Sequence, residues 1–153
     1  MSIDQRLAEL GVSLPQPAAP VASYVPAVEH GGLLHISGQV SFAEDGSLIK
    51  GRLGEDIGID DGIAAARRCG VMLIAQMKAA LGSLDRVERI VKLGVFVNST
   101  PLFTDQPKVA NGASELMQDV FGEAGRHARS AVGVTVLPLG VAVEVDAIVA
   151  VKA

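Results

Sequence analysis

The segment Arg129-Ser-Ala-Val-Gly-Val-Thr-Val-Leu-Pro-Leu-Gly-Val-Ala-Val-Glu-Val-Asp-Ala-Ile-Val-Ala150 is the most regular stretch of the 153-residue chain. Ser130 to Val136 alternates small and β-branched residues, Leu137-Pro-Leu-Gly140 turns the chain, and Val141 to Val151 has the alternation of a long strand. Val141, Val143, Val145, Val149 and Val151 share one face, while Ala142, Glu144, Asp146 and Ile148 share the other, so two acids lie on a strand that is otherwise apolar. Read as a hairpin with Val136 opposite Val141, the segment sets Arg129 against Ile148 and Glu144 against Gly133. In that register Arg129 and Glu144 share a sheet face roughly 13 Å apart, and Gly133 leaves room beside the carboxylate. A guanidinium can hold a small carboxylate in a bidentate pair while a carboxylic acid orients water or moves a proton. An arginine and a glutamate on facing strands are more often a structural or intersubunit ion pair.

Working towards the N-terminus, Thr104 is expected to cap a helix that runs to about Phe121 with Pro107 in its first turn, and Gly122 and Gly125 end it. Ile90-Val-Lys-Leu-Gly-Val-Phe-Val97 reads as a strand with Val91, Leu93, Val95 and Val97 on one face and Lys92, Gly94 and Phe96 on the other. Asp60 or Asp61 opens a second helical stripe through Ile63, Ala66, Gly70, Ile74, Met77 and Leu81, stopped by Gly82. Residues 41–62 read as loop with a weak strand at Leu48-Ile49. Tyr24 to Val28 and Leu33 to Val40 form a hairpin about Gly31-Gly32. Residues 1–20, with a short helical spacing at Ile3, Leu7 and Leu10 and then Pro15, Pro17 and Pro20, read as an N-terminal arm on a single domain of 21–153. The order predicts an α+β fold, a two-layer sandwich of a mixed sheet with two helices on one face.

Composition sets the outer limits. Thirteen basic against 17 acidic side chains, a formal charge of −4, one tyrosine and no tryptophan disfavour nucleic acid and anionic membrane as partners. The charged N-terminus and the lack of an apolar run of about 18 residues predict a soluble protein. One cysteine, Cys69, precludes an intrachain disulfide and fits a cytoplasmic setting; its mid-helix position suggests a small buried hydrophobe. Mean hydropathy of +0.38 is high for a chain of this size and favours a homo-oligomer. His30, His35 and His127 lack metal-ligand spacing, so no metal is expected. His127 reads as a turn-surface histidine, with a place flanking Arg129 as the lesser alternative. Gly31-Gly32 and Gly51-Arg-Leu-Gly54 match no nucleotide-binding loop.

The 129–150 segment resembles the C-terminal signature of the Rid family, the YjgF/RidA reactive-intermediate deaminases also called endoribonuclease L-PSP proteins. In that signature an arginine precedes a strand, Leu-Pro makes a turn and Val-Glu opens the last strand. Tyr24-Val-Pro-Ala-Val with Ile36-Ser-Gly-Gln39, in which Tyr24 precedes Gly38 by 14 positions, resembles the family's N-terminal pattern, and Ile90 to Val97 resembles its central strand. The resemblance implies a chorismate-mutase-like fold, a homotrimer with ligand clefts between subunits, no cofactor, and a small carboxylate as ligand. It assigns Arg129 to gripping the carboxylate of a 2-enamine or 2-imine acid and Glu144 to positioning the hydrolytic water, giving a 2-keto acid and ammonia. Tyr24, Ser37 and Asn111 match pocket-lining positions. Ala131 stands where well-known members carry cysteine, and the arm and the 98–108 loop indicate a longer subgroup. A non-catalytic sensor of small carboxylates using the same cleft is the alternative, and chorismate mutase or ribonuclease activity ranks below both.

Overall fold

Strand β5 (Val143–Val151) runs inside a five-stranded sheet with the order β1-β2-β5-β3-β4, completed by β1 (Ala27–His30), β2 (Leu33–Val40), β3 (Val87–Asn98) and β4 (Ala128–Val134). The computed structural model describes residues 1–18 and 22–153. Val143, Val145, Ala147, Val149 and Val151 are all buried, and the alternate positions are half-buried, because β5 has a neighbour on both sides but helices on one face only. Helices α2 (Ile59–Leu81) and α3 (Gln106–Phe121) cover that face, and Leu73, Ile74, Met77, Leu116 and Met117 meet Leu93, Val95 and Val145 in the core. The predicted α+β sandwich is therefore the observed architecture.

The β1–β2 turn is built by Gly31 and Gly32, with φ of 63° and 79°, a conformation available to glycine at little cost. The pairing then runs from His30 opposite Leu33 to Ala27 opposite Ile36, so β1 starts three residues later than Tyr24. Leu48 and Lys50 make only isolated bridges, to Phe42 and Val141. In β3 an irregularity in pairing between Ile90 and Lys92 changes the alternation, and Ile90 is buried where Val91 was expected. Helix α3 starts at Gln106 after Asp105, with Pro107 in its first turn, so Thr104 is not its cap.

The expected hairpin between β4 and β5 does not exist. β4 pairs parallel with β3, Arg129 beside Leu93 and Gly133 beside Val97, and β3 lies between β4 and β5. The reason is that β3, α3 and β4 form a crossover unit, whose helix returns the chain to the end from which β3 began. The link from Thr135 to Ala142 then passes the far end of β3. Buried Asn98 holds it there, donating its side-chain amide to the Val141 carbonyl at 3.1 Å and its backbone amide to the Ala142 carbonyl at 2.9 Å.

Helix α1 (Ile3–Glu9) starts with a reciprocal cap in which Ser2 Oγ accepts from the Gln5 amide and Gln5 Oε1 accepts from the Ser2 amide. Leu7 reaches the main core, and Arg6 Nε donates to the Asp119 carbonyl of α3 at 2.8 Å. Residues 19–21, which include Pro20 and the expected boundary between arm and domain, lie outside the described residues. No helix among the described residues is long and apolar enough to cross a membrane.

Candidate functional site

Of the five residues singled out from the sequence, Arg129 and Asn111 meet on the helix side of the sheet, and Glu144 lies on the opposite face. Arg129 is in register with the buried Leu93 and points to the helix side, where its Nη1 donates to Asn111 Oδ1 at 2.8 Å and to Ser114 Oγ at 3.1 Å. Asn111 and Ser114 are supplied by α3, three residues apart and thus on one helix flank. Both hydrogens of Nη1 are engaged. Nε and Nη2 have no partner among the described residues, and so the Nε–Nη2 edge keeps the two parallel donors that fit a carboxylate.

Glu144 is in register with Phe96 on one side and Val40 on the other, on the face that the helices leave uncovered. Arg129 and Glu144 therefore do not share a face, and the expectation from the hairpin is overturned with the hairpin. Gly133 also does not make room for Glu144, since a Cβ at 133 would meet Ser99 Oγ and Gln106 Nε2. The residue that does so is Gly38 of β2, where the pairing with β5 shifts between Ile36 and Gln39; a Cβ there would lie 2.5 Å from Glu144 Oε2.

Burial raises the Glu144 pKa above the ordinary glutamate value, and the neighbouring Asp146 carboxylate adds to the rise. Gly38 also lines a cavity of about 450 Å³ with Tyr24, Ser37, Gln39, Met72 and Leu139. Ser37 Oγ donates to the Val25 carbonyl at 3.1 Å, which ties the Tyr24 segment to β2, and Tyr24 itself is 58% exposed. Gly38 is thus the common neighbour of Glu144 on one side and of the cavity holding Tyr24 and Ser37 on the other, a cavity that Met72 and Gln76 of α2 also line, whereas Arg129 and Asn111 form a separate pair.

Sequence reasoning missed Ser114, which has no distinguishing pattern within an amphipathic helix. His127, expected at the turn surface, instead flanks Arg129: its Nε2 is 2.9 Å from Ser114 Oγ. Cys69 is fully buried with Sγ 3.4 Å from the Val143 carbonyl, and burial pushes its thiol pKa far up, so it is an inert core residue. Among the described residues no group of three or more His, Cys, Asp or Glu side chains is arranged to hold a metal ion.

A mixed sheet backed by two helices, with an arginine oriented on one face and a carboxylic acid set over a glycine on the other, defines the class of small α+β proteins into which this chain falls. Residues 4–150 match the family model for YjgF/chorismate mutase-like endoribonuclease proteins, and the chain belongs to that family. It is 56% identical over 144 residues to protein TCP17 of Trypanosoma cruzi, covering 94% of this chain and 90% of that one. It is 25% identical over 143 residues to a 2-iminobutanoate/2-iminopropanoate deaminase of Dermatophagoides farinae, covering 92% and 95% respectively. Among solved structures, a protein of unknown function from Agrobacterium tumefaciens superposes with a TM-score of 0.90 at 44% identity, over 99% of this chain and 94% of the other.

Proposed function

We propose that the protein is a cofactor-free hydrolase that converts small 2-enamine or 2-imine carboxylic acids to 2-keto acids and ammonia, acting in the cytoplasm as a homotrimer. The observation that carries this reading is the unengaged Nε–Nη2 edge of Arg129, held in place through Nη1 by Asn111 and Ser114. A planar carboxylate is the ligand that fits such an edge. The imine carbon next to it is electrophilic without metal or covalent activation, so positioning and charge complementarity suffice. Water adds to that carbon, and the resulting carbinolamine expels ammonia and leaves the keto acid. An enamine acid first takes a proton from solvent at C3 and loses one from nitrogen to become the imine. Glu144, whose raised pKa suits proton transfer closer to neutrality, then passes a proton from the attacking water to nitrogen and a second from the carbinolamine hydroxyl to the nitrogen as it leaves as ammonia.

The opposite-face placement supports a site shared between copies, with Arg129 and Asn111 from one and Tyr24, Ser37 and Glu144 from another. The uncovered sheet face carries exposed Val28 and Val132 with half-buried Phe96 and Ile148 among the polar His35, Lys92 and Asp146, a mixed apolar and charged surface of the kind found between subunits. The deaminase name of the Dermatophagoides farinae relative supports the reaction class. The test is release of ammonia and pyruvate from freshly generated 2-aminoacrylate. Turnover by the wild type that is lost in a folded Arg129→Ala variant is the expected result; pyruvate binding without turnover by the wild type overturns catalysis in favour of a carboxylate sensor.

A further inference from the structure

Behind Arg129 a line of hydrogen bonds runs from β4 into the turn that precedes it. His127 Nδ1 lies 2.7 Å from the Gly125 carbonyl oxygen, which only accepts, so Nδ1 holds a hydrogen. Nε2 of the neutral ring is then an acceptor, and Ser114, 2.9 Å away, donates its hydroxyl hydrogen to it. The Ser114 oxygen is left with lone pairs for Arg129 Nη1 at 3.1 Å. Burial lowers the His127 pKa; the Gly125 carbonyl opposes that shift, while the Arg129 charge adds to it. Every bond in the line therefore has one direction, set at its far end by a backbone carbonyl.

We propose that His127, acting through Ser114, is a positioning residue for Arg129. It commits Nη1 to the protein and thereby selects the Nε–Nη2 edge as the one offered to a ligand carboxylate. Asn111 alone engages one hydrogen of Nη1 and leaves the guanidinium free to tilt about that contact; the Ser114 bond supplies the second point that stops it. Two fixed points determine a planar group's orientation where one does not. The inference rests on reading Arg129 as the carboxylate anchor, and it adds to that reading a pair of residues that themselves touch no ligand.

The test measures pyruvate affinity by calorimetry and KM and kcat with 2-aminoacrylate for His127→Phe, which keeps ring volume and loses both nitrogens, and for Ser114→Ala. Each is expected to weaken pyruvate binding and raise KM about fivefold to tenfold with kcat changed less than about twofold, and the double variant should be no weaker than either single one, as for residues acting through one chain. Ser114→Thr, which restores a hydroxyl, should recover most of the affinity. Wild-type affinity in both single variants, or additive losses in the double variant, overturns the proposal. If His127→Phe fails to fold, His127→Asn, which keeps a donor for the Gly125 carbonyl but has no acceptor at the Nε2 position, takes its place with the same expected and overturning results. An Arg129→Ala variant that still binds pyruvate overturns the anchor reading itself, whereas loss there with unchanged His127→Phe and Ser114→Ala overturns only the relay.

Discussion

Arg129 and Glu144 leave the same sheet on opposite faces, the first in register with Leu93 on the helix side and the second with Phe96 on the uncovered side. Between Leu93 and Phe96 the β3 pairing is regular, and an odd number of residues on one strand always reverses the face. No rotamer brings the two side chains to one small ligand through the sheet. The proposed shared site therefore draws Arg129 from one copy of the chain and Glu144 from another.

Mixed oligomers test that division. Arg129→Ala and Glu144→Gln should each be inactive alone. Combined in equal amounts under conditions that exchange subunits, they should recover about one quarter of wild-type activity, since that fraction of shared sites draws a native residue from each partner. A site confined to one chain gives no recovery.

Gly38→Ala should displace the Glu144 carboxylate, because the new Cβ would overlap it. We expect loss of most turnover at a stability cost of about 1–3 kcal/mol, as for overpacking elsewhere. Gly133→Ala, which meets Ser99 and Gln106 instead, should leave the Glu144 titration unchanged. Activity, thermal melting and NMR of the glutamate carboxyl distinguish the two.

The pH response of the acid has a definite sign. Burial, then Asp146, raises the Glu144 pKa, so Asp146→Asn should lower it and move the acid limb of the pH–rate profile to lower pH. In the folded state Glu144 holds its proton to higher pH than in the unfolded chain. Its contribution to stability is therefore present at low pH and is lost as pH rises through the folded pKa. A pH series of urea midpoints for wild type and Glu144→Gln reads this out.

His127 behaves in the opposite sense. Its folded pKa is lowered chiefly by burial, so the unfolded chain binds a proton first as pH falls, and stability should drop on acidification through the window beginning at about 6.5. Arg129→Ala should raise the His127 pKa part of the way back, because the charge of Arg129 is the lesser of the two lowering causes. A histidine NMR titration of both proteins checks it.

Asn98→Ala removes the donor to the Val141 carbonyl and the acceptor of Arg52 Nε at 3.2 Å. The expected destabilisation is about 1–3 kcal/mol, and amide exchange should increase first in the 135–142 link that Asn98 holds. Uniform loss of protection across the sheet would show instead that the link is not a separate unit.

Much of this molecule was legible without coordinates because its signals are local. The valine alternation from 141 to 151 needs only the two-residue period of a strand, Gly31-Gly32 needs only the positive φ of a tight turn, and the α2 stripe and its Gly82 stop follow from helical geometry. Together with the motifs around Tyr24 and Arg129 they determined the element order, the α+β class and the five residues at which to look. Strand partners are not local. Leu137-Pro-Leu-Gly140 has the composition of a hairpin turn, but the return of the chain through α3 forces β4 alongside β3, and β3 then separates β4 from β5. Only the tertiary structure decided that Arg129 faces α3, that Gly38 and not Gly133 makes room for Glu144, and that Ser114 and His127 stand behind the guanidinium. Each depends on which backbone comes to lie beside which, a matter of long-range packing that no spacing along the chain encodes.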